Sequence, residues 1–427
     1  MNVYAWIGLI GIIVVELLPF IQKSNRTRPR YIKAGIQIAI VLSVIVAVLL
    51  FQVPFLFAFL IGFLAMIVFD RKTYTKRRLL IYIPILLIIS VASFILFREQ
   101  PNYVLKHLKN HPETTSLYVV ENGEELIAYE SDTVRPLAST VKIIIAIEYG
   151  FQVDEGKVNP EEMVDVTELE KYYFKNTDGG AHEAWLKSID KNQQQVTIHD
   201  VAKGMIVYSS NANTEYLMDH LGIDAINQRA QSLGLTKHEK VYPIVGGLYI
   251  AQALKDEDHR VEKLETMSMD AYRELANEYS QQMKDGTIHL KKINADLPLN
   301  VQKVWSDRLI GSTAKEYGQL LTFIQNNELP TKANEIIRDL LEWPMQMNEQ
   351  NKEIFTYIGA KGGSTAFVLT DALYAKDLNK NTFEFVILTD DLSVWQQLLL
   401  NYHLNSFEAK FLQDASYRSY VKEELEA

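Results

Sequence analysis

The 427-residue chain contains no cysteine. This excludes a disulfide framework, a thiolate metal site and a cysteine nucleophile. It leaves the compartment open, since oxidising and reducing spaces both tolerate a chain without thiols. An H-E-x-x-H helix, a P-loop and any paired metal-ligand spacing are also missing, so no metal, nucleotide or other cofactor is expected. No fixed-period repeat is present. Hydrophobic residues make up 48% and charged residues 22%, which excludes a disordered or collagen-like chain.

Acidic residues are scarce in the first quarter. Residues 1–102 hold eleven Lys/Arg against three Asp/Glu, and the remainder holds 32 against 50. An acidic globular part argues against a nucleic-acid partner. A basic, apolar leader points to membrane lipid instead. Four apolar runs, 3–22, 34–51, 53–69 and 79–97, each have 17 to 20 residues, about enough to span the hydrocarbon core at 1.5 Å per residue. A cleaved signal peptide would be one shorter stretch. The run 53–69 is the weakest, short enough for a re-entrant segment. The loop 23–33 carries Lys23, Arg26, Arg28, Arg30 and Lys33, and the loop 70–78 carries Arg71, Lys72, Lys76, Arg77 and Arg78. Basic loops stay cytoplasmic, so the N-terminus and everything after Phe97 are expected outside. Glu16, inside the first run, reads as a packing or interfacial carboxyl beside Pro19. The expectation is a multi-pass cell-membrane protein, with residues 1–101 forming four transmembrane helices and residues 102–427 an extracytoplasmic domain.

In the outer part, Ser116–Val120 and Leu126–Tyr129 are apolar and β-prone, and Asn122-Gly123 between them signals a hairpin. A helix is expected from Ser139 to Phe151. The stretch 155–345 reads mostly helical. Ile354–Ile358, Ala366–Tyr374 and Thr382–Leu388 read as strands, and Trp395–Phe411 as an amphipathic helix. Strands at both ends with helices between them predict an α+β domain whose termini share one antiparallel sheet.

The chemistry begins at Ser139-Thr140-Val141-Lys142. On a helix, residues i and i+3 share a face, which sets Lys142 beside the Ser139 hydroxyl. An amine in a mostly apolar pocket has a depressed pKa, so its neutral form can take the serine proton. The helix start favours developing negative charge. The same S-x-x-K pattern recurs at Ser188–Lys191 and Ser312–Lys315, where it reads as a polar loop and a capped helix start. Ser209-Ser210-Asn211 sits in a turn between two helical runs, Val201–Tyr208 and Thr214–Leu221. Lys361-Gly362-Gly363-Ser364 leads toward the strand at 366–374, where glycines let another backbone approach closely. The specificity lies in the order and setting of these three elements.

Taken together, Ser139/Lys142, Ser209/Asn211 and Lys361/Gly363 resemble the three motifs of penicillin-recognising serine enzymes, the class A β-lactamases and penicillin-binding peptidases. The likeness runs over roughly 115–412 and does not extend to the apolar leader. It implies a β-lactamase/transpeptidase-like fold, with a five-stranded antiparallel sheet and a helical subdomain. It implies Ser139 as acylated nucleophile, Lys142 as its base and Ser209 as proton carrier to the leaving nitrogen. Asn211 would hold the substrate amide and Lys361 the substrate carboxylate. Gly363 would open the strand edge, and the N–H groups of Ser139 and Ser364 would form the oxyanion hole. Gly362 replaces the usual Thr. His182, in the Asp178–His182 loop, is a further candidate for substrate contact, and Tyr242–Gly247 a wall of the cleft.

One departure concerns product release. Class A β-lactamases carry a Glu in an E-x-x-x-N pattern that positions the deacylating water. The corresponding stretch, 235–250, holds only Glu239, among Lys237, His238 and Lys240, with no Asn four places on. Acylation is expected and fast deacylation is not. The substrates implied are a β-lactam or a cell-wall peptide. A D,D-peptidase is the alternative enzyme. A β-lactam or wall-fragment sensor is the alternative of another class, weakened by cytoplasmic loops too short for an output domain.

Overall fold

The computed structural model describes residues 100–190 and 193–426. The four apolar runs and Glu16 lie outside the described residues. Among the described residues, no helix is long and apolar enough to cross a membrane.

Helix α1 (Pro101–Asn110) leads into strands β1 (Thr115–Glu121) and β2 (Glu124–Tyr129). Asn122 and Gly123 join them with φ of +54° and +81°, the double left-handed turn that Asn-Gly favours. Helix α2 (Lys142–Asp154) follows a single 3-10 turn. The helical block includes α3 (Ala181–Ser188), α4 (Ile198–Ile206), α5 (Asn211–Leu221), α6 (Ile244–Ala253), α7 (Ala314–Gln325) and α8 (Thr331–Leu341), with further helices between them, the longest being Met269–Lys284. Strands β3 (Phe355–Ser364), β4 (Leu369–Asp377) and β5 (Thr382–Thr389) then precede α9 (Val394–Gln413) and α10 (Ala415–Glu426).

The five strands form one antiparallel sheet in the order β2-β1-β5-β4-β3. The expected α+β architecture, with helices inserted between the two halves of the sheet, is therefore present. Side chains alternate across the strands. Leu117, Leu373 and Phe385 turn to α1, α9 and α10, meeting Leu108, Phe407, Phe411 and Val421. Tyr118, Ala372, Tyr374 and Val386 turn the other way, against α2 and the helical block. Helix α2 is buried nearly all round, from Lys142 to Val153, as an Ile-rich segment without a polar face must be. It is the central post of the domain, and the site stands at its N-terminal end.

One boundary differs in a way that matters. Strand β3 runs on to Ser364, where the sequence pattern ends it at Ile358 and attaches the Lys361 triplet to the next strand. Gly359, Gly362 and Gly363 lower β-propensity, yet each pairs in register with β4, opposite Tyr374, Asp371 and Thr370. Ladder pairing outweighs local preference here. β3 is one of the two edge strands, so the triplet lies at an edge of the sheet.

Candidate active site

Ser139 and Lys142 come from one turn. Ala138–Val141 form the 3-10 segment and Lys142 opens α2. The residue before the serine, Ala138, has φ +46°, a left-handed backbone that costs a side-chain-bearing residue about 1–2 kcal/mol. Its surroundings hold it there. Leu137 N donates to Ile310 O at 2.9 Å, and Thr370 Oγ1 lies 2.9 Å from Leu137 O and 3.2 Å from Gly363 O. Arg135, buried, donates to Ser116 Oγ and Asp390 Oδ1, both at 2.8 Å. Ser139 lines the cavity.

Lys142 is fully buried. Its Nζ lies 2.7 Å from Ser209 O, 3.0 Å from Asn211 Oδ1 and 3.2 Å from Ser209 Oγ. Burial pushes its pKa well below the usual lysine value, and the nearby Lys361 charge pushes the same way, with Asp178 opposing. A lowered lysine pKa is the direction that the serine chemistry calls for.

The second motif is a tightly packed turn. A capping box between Thr197 and Asp200 starts α4. Ser209 has φ +65°, and Ser210 caps α5 by accepting from Asn213 N at 3.2 Å. Gly204 sits so close that a Cβ there would lie 2.0 Å from Asn213 Nδ2. Asn211, at the first turn of α5, lines the cavity.

Strand β3 brings the third motif against the first two. Lys361, 4% exposed, has Nζ 3.1 Å from Ser209 Oγ and 2.6 Å from Gly362 O. Burial lowers its pKa to about 8, with Asp371 opposing. The Ser209 hydroxyl thus stands between two amines, a geometry that can pass a proton between them. A Cβ on Gly363 would lie 2.4 Å from Ser139 N and 2.8 Å from Thr370 Oγ1. Only glycine lets the strand edge run this close to the serine backbone. Ser364, exposed at the end of β3, lines the cavity beside it. The cavity, about 1160 Å³, is also lined by Asp178, Tyr242, Trp305 and Trp343.

Two candidates do not reach the cavity. His182 is fully buried. Its Nδ1 lies 3.0 Å from Ser210 Oγ and 3.3 Å from Asn213 Oδ1, and its ring packs 4.5 Å from Tyr173 and 5.5 Å from Trp185 between centroids. Its neighbours Asp178–Ala181 form the rim, but His182 sits in the first turn of α3 and points inward, bracing the second motif. Glu239 is tied elsewhere: its Oε2 accepts from Gly311 N at 3.0 Å, and its own N donates to Gly311 O at 2.8 Å. Sequence reasoning also passed over Asp371 on β4 and Glu408 on α9, two carboxyls that line the same cavity. Their separation in the chain gave no signal. Among the described residues, no group of three or more His, Asp or Glu side chains is arranged to hold a metal.

A serine and a buried amine at the head of a central helix, in an α+β domain with a five-stranded sheet, mark a serine hydrolase. A sequence model of the β-lactamase enzyme family matches residues 99–405, and the chain belongs to that family. Solved structures similar to it include a β-lactamase from Sphaerobacter thermophilus, 16% identical, covering 73% of this chain and 98% of that one with a TM-score of 0.47. PBP-A in an acyl-enzyme complex with penicillin G is 18% identical, covering 72% and 95% with a TM-score of 0.44. A β-lactamase from Chitinophaga pinensis is 11% identical, covering 72% and 98% with a TM-score of 0.46. No curated protein matches the chain.

Proposed function

We propose that the chain is a membrane-anchored, extracytoplasmic serine hydrolase that opens a β-lactam or a peptidyl amide by forming an acyl-enzyme on Ser139, and that it releases the acyl group slowly. The observation that carries this reading is the Ser209 hydroxyl between two buried amines, 3.2 Å from Lys142 and 3.1 Å from Lys361, in a cavity that Ser139 lines.

Neutral Lys142 takes the Ser139 proton as Oγ attacks the carbonyl carbon. The oxyanion faces the N–H groups of Ser139 and Ser364, a kind of contact whose loss costs about 2.7–4 kcal/mol in comparable sites. Ser209 gives its proton to the leaving nitrogen and regains one from Lys142. The C–N bond breaks and the acyl group stays on Ser139. Asn211 holds the substrate amide, and the Lys361 ammonium draws the substrate carboxylate.

Deacylation needs a base beside a water. Glu239 is bonded to Gly311 and does not line the cavity, which supports slow release. The same observation favours a second reading, a D,D-carboxypeptidase-like penicillin-binding protein acting on cell-wall peptides. Anchoring rests on the four apolar runs and the two basic loops. Protease added to intact cells is expected to cut within 102–427, and protection of that part would overturn the orientation.

The test of the chemistry mixes the full chain with a chromogenic cephalosporin and, separately, with a D-Ala-D-Ala peptide. A burst of one product per chain followed by a slow steady rate is expected with the cephalosporin. Steady turnover as fast as the burst would overturn slow release. Faster steady turnover of the peptide than of the cephalosporin favours the peptidase reading.

A further inference from the structure

The cavity continues beyond the three motifs. In β3 and β4, Lys361 and Gly363 pair with Ala372 and Thr370, on the face of the helical block, whereas Gly362 pairs with Asp371, whose neighbours Leu369 and Leu373 face α9. The cavity is lined on both sides of this edge: by Ser139 and Asn211 on one, and by Asp371, Asn405 and Glu408 on the other. Gly362 leaves the passage open, since a Cβ there would approach nothing nearer than 3.5 Å, the nearest atom being Asp371 Oδ1.

The far arm holds two carboxyls, and the charge of Lys361 acts on Asp371 from beside it. Glu408 is 7% exposed, and its Oε1 has no hydrogen-bond partner. Its carboxyl is hydrogen-bonded to that of Asp371, and burial, then that neighbour's charge, then this hydrogen bond push Glu408 well above the usual carboxylate range. Asp371 is raised by burial too. One Asp371 oxygen accepts from Ala372 N at 2.8 Å. Lys361, the adjacent lysine, directs its Nζ to Ser209 Oγ and Gly362 O instead. A buried carboxyl with an unpartnered oxygen is costly unless something binds it. The proton that the two share can be replaced by an ammonium, which donates to both carboxylates at once.

We propose that this arm is a cation subsite, in which a primary ammonium on the substrate's leaving residue sits between the Asp371 and Glu408 carboxyls. The inference rests on the acyl-enzyme reading above, in which Lys361 draws the carboxylate of that same leaving residue. A side chain of lysine length then passes Gly362 to reach the pair. The preferred substrate class is a peptidyl amide whose leaving amino acid carries a side-chain amine.

The test compares N-acetyl-D-Ala-D-Lys with N-acetyl-D-Ala-D-norleucine, which keeps the carbon chain and drops the amine. Binding of each to the full-length Ser139→Ala chain is measured by calorimetry, alone and combined with Glu408→Gln or Asp371→Asn. The D-Lys peptide is expected to bind at least tenfold tighter, and either isosteric change is expected to erase that preference without unfolding the chain. Equal binding of the two peptides, no binding of either, or a preference that survives Glu408→Gln overturns the subsite. Penicillin labelling of the parent chain separates the two levels. Labelling at Ser139 without a D-Lys preference removes only the subsite. Labelling that never occurs at Ser139 removes the acyl-enzyme reading and the subsite with it.

Discussion

The two glycines after Lys361 should respond oppositely to the same small change. A methyl group at Gly363 would begin 2.4 Å from Ser139 N, 2.8 Å from Thr370 Oγ1 and 3.0 Å from Ala138 Cβ. Ordinary contact begins near 3.4 Å, so strand and serine must separate by about 1 Å. The opposing atom is backbone, held by the strained turn at Ala138, and cannot yield cheaply. A misplacement of about 1 Å in an oriented site costs on the order of 10²-fold in rate, or about 2.7 kcal/mol of barrier. The overpacking itself costs about 1–3 kcal/mol of stability. At Gly362 the nearest atom is 3.5 Å away, so Gly362→Ala fits. The assay is the burst rate with a chromogenic cephalosporin, with a thermal melt for each variant. Gly363→Ala should lose about 10²-fold while Gly362→Ala stays within about threefold. Equal behaviour of the two variants, or a Gly363→Ala chain that acylates at the parent rate, would refute the steric argument.

Lys361 is charged below its folded pKa of about 8 and neutral above it. If its ammonium draws the substrate carboxylate, kcat/KM should be full below pH 8 and fall as pH rises through that value. Lys361→Arg, which stays charged, should move the fall upward by more than one pH unit; a pH–rate profile checks both. His182→Ala should destabilise the domain by about 3 kcal/mol, because it opens a cavity and removes a buried partner of Ser210 and Asn213. A lowered melting temperature is the expected readout. Glu239→Gln keeps an acceptor for Gly311 N and lies away from the cavity, so deacylation should stay within about twofold of the parent in a pulse-chase of the adduct.

The sheet and the hairpin were legible in the sequence because alternation and an Asn-Gly turn are local signals. The extension of β3 to Ser364 was not, because its glycines pair only when β4 is beside them. Helices α1 and α10 carry little signal in the sequence, because each buries only a few residues among polar ones, four in α1 and three in α10. Of the site, Ser139 and Lys142 were readable from i, i+3 spacing. Ser209 and Lys361 became readable only through order and resemblance. His182 was misjudged because the Gly-Gly before it looks like a loop, while burial of the α3 first turn depends on Tyr173, Trp185 and Ser210 packing around it. The Asp371–Glu408 pair joins a strand to a helix 37 residues further on, and no local pattern announces such a meeting.

Intact-mass and peptide mass spectrometry of the full chain after exposure to benzylpenicillin bears most directly on the chemistry. The expected outcome is a single penicilloyl adduct per chain, carried by the peptide containing Ser139 and absent from Ser139→Ala. An adduct of equal yield on the Ser139→Ala chain, or none on the parent, would contradict the account.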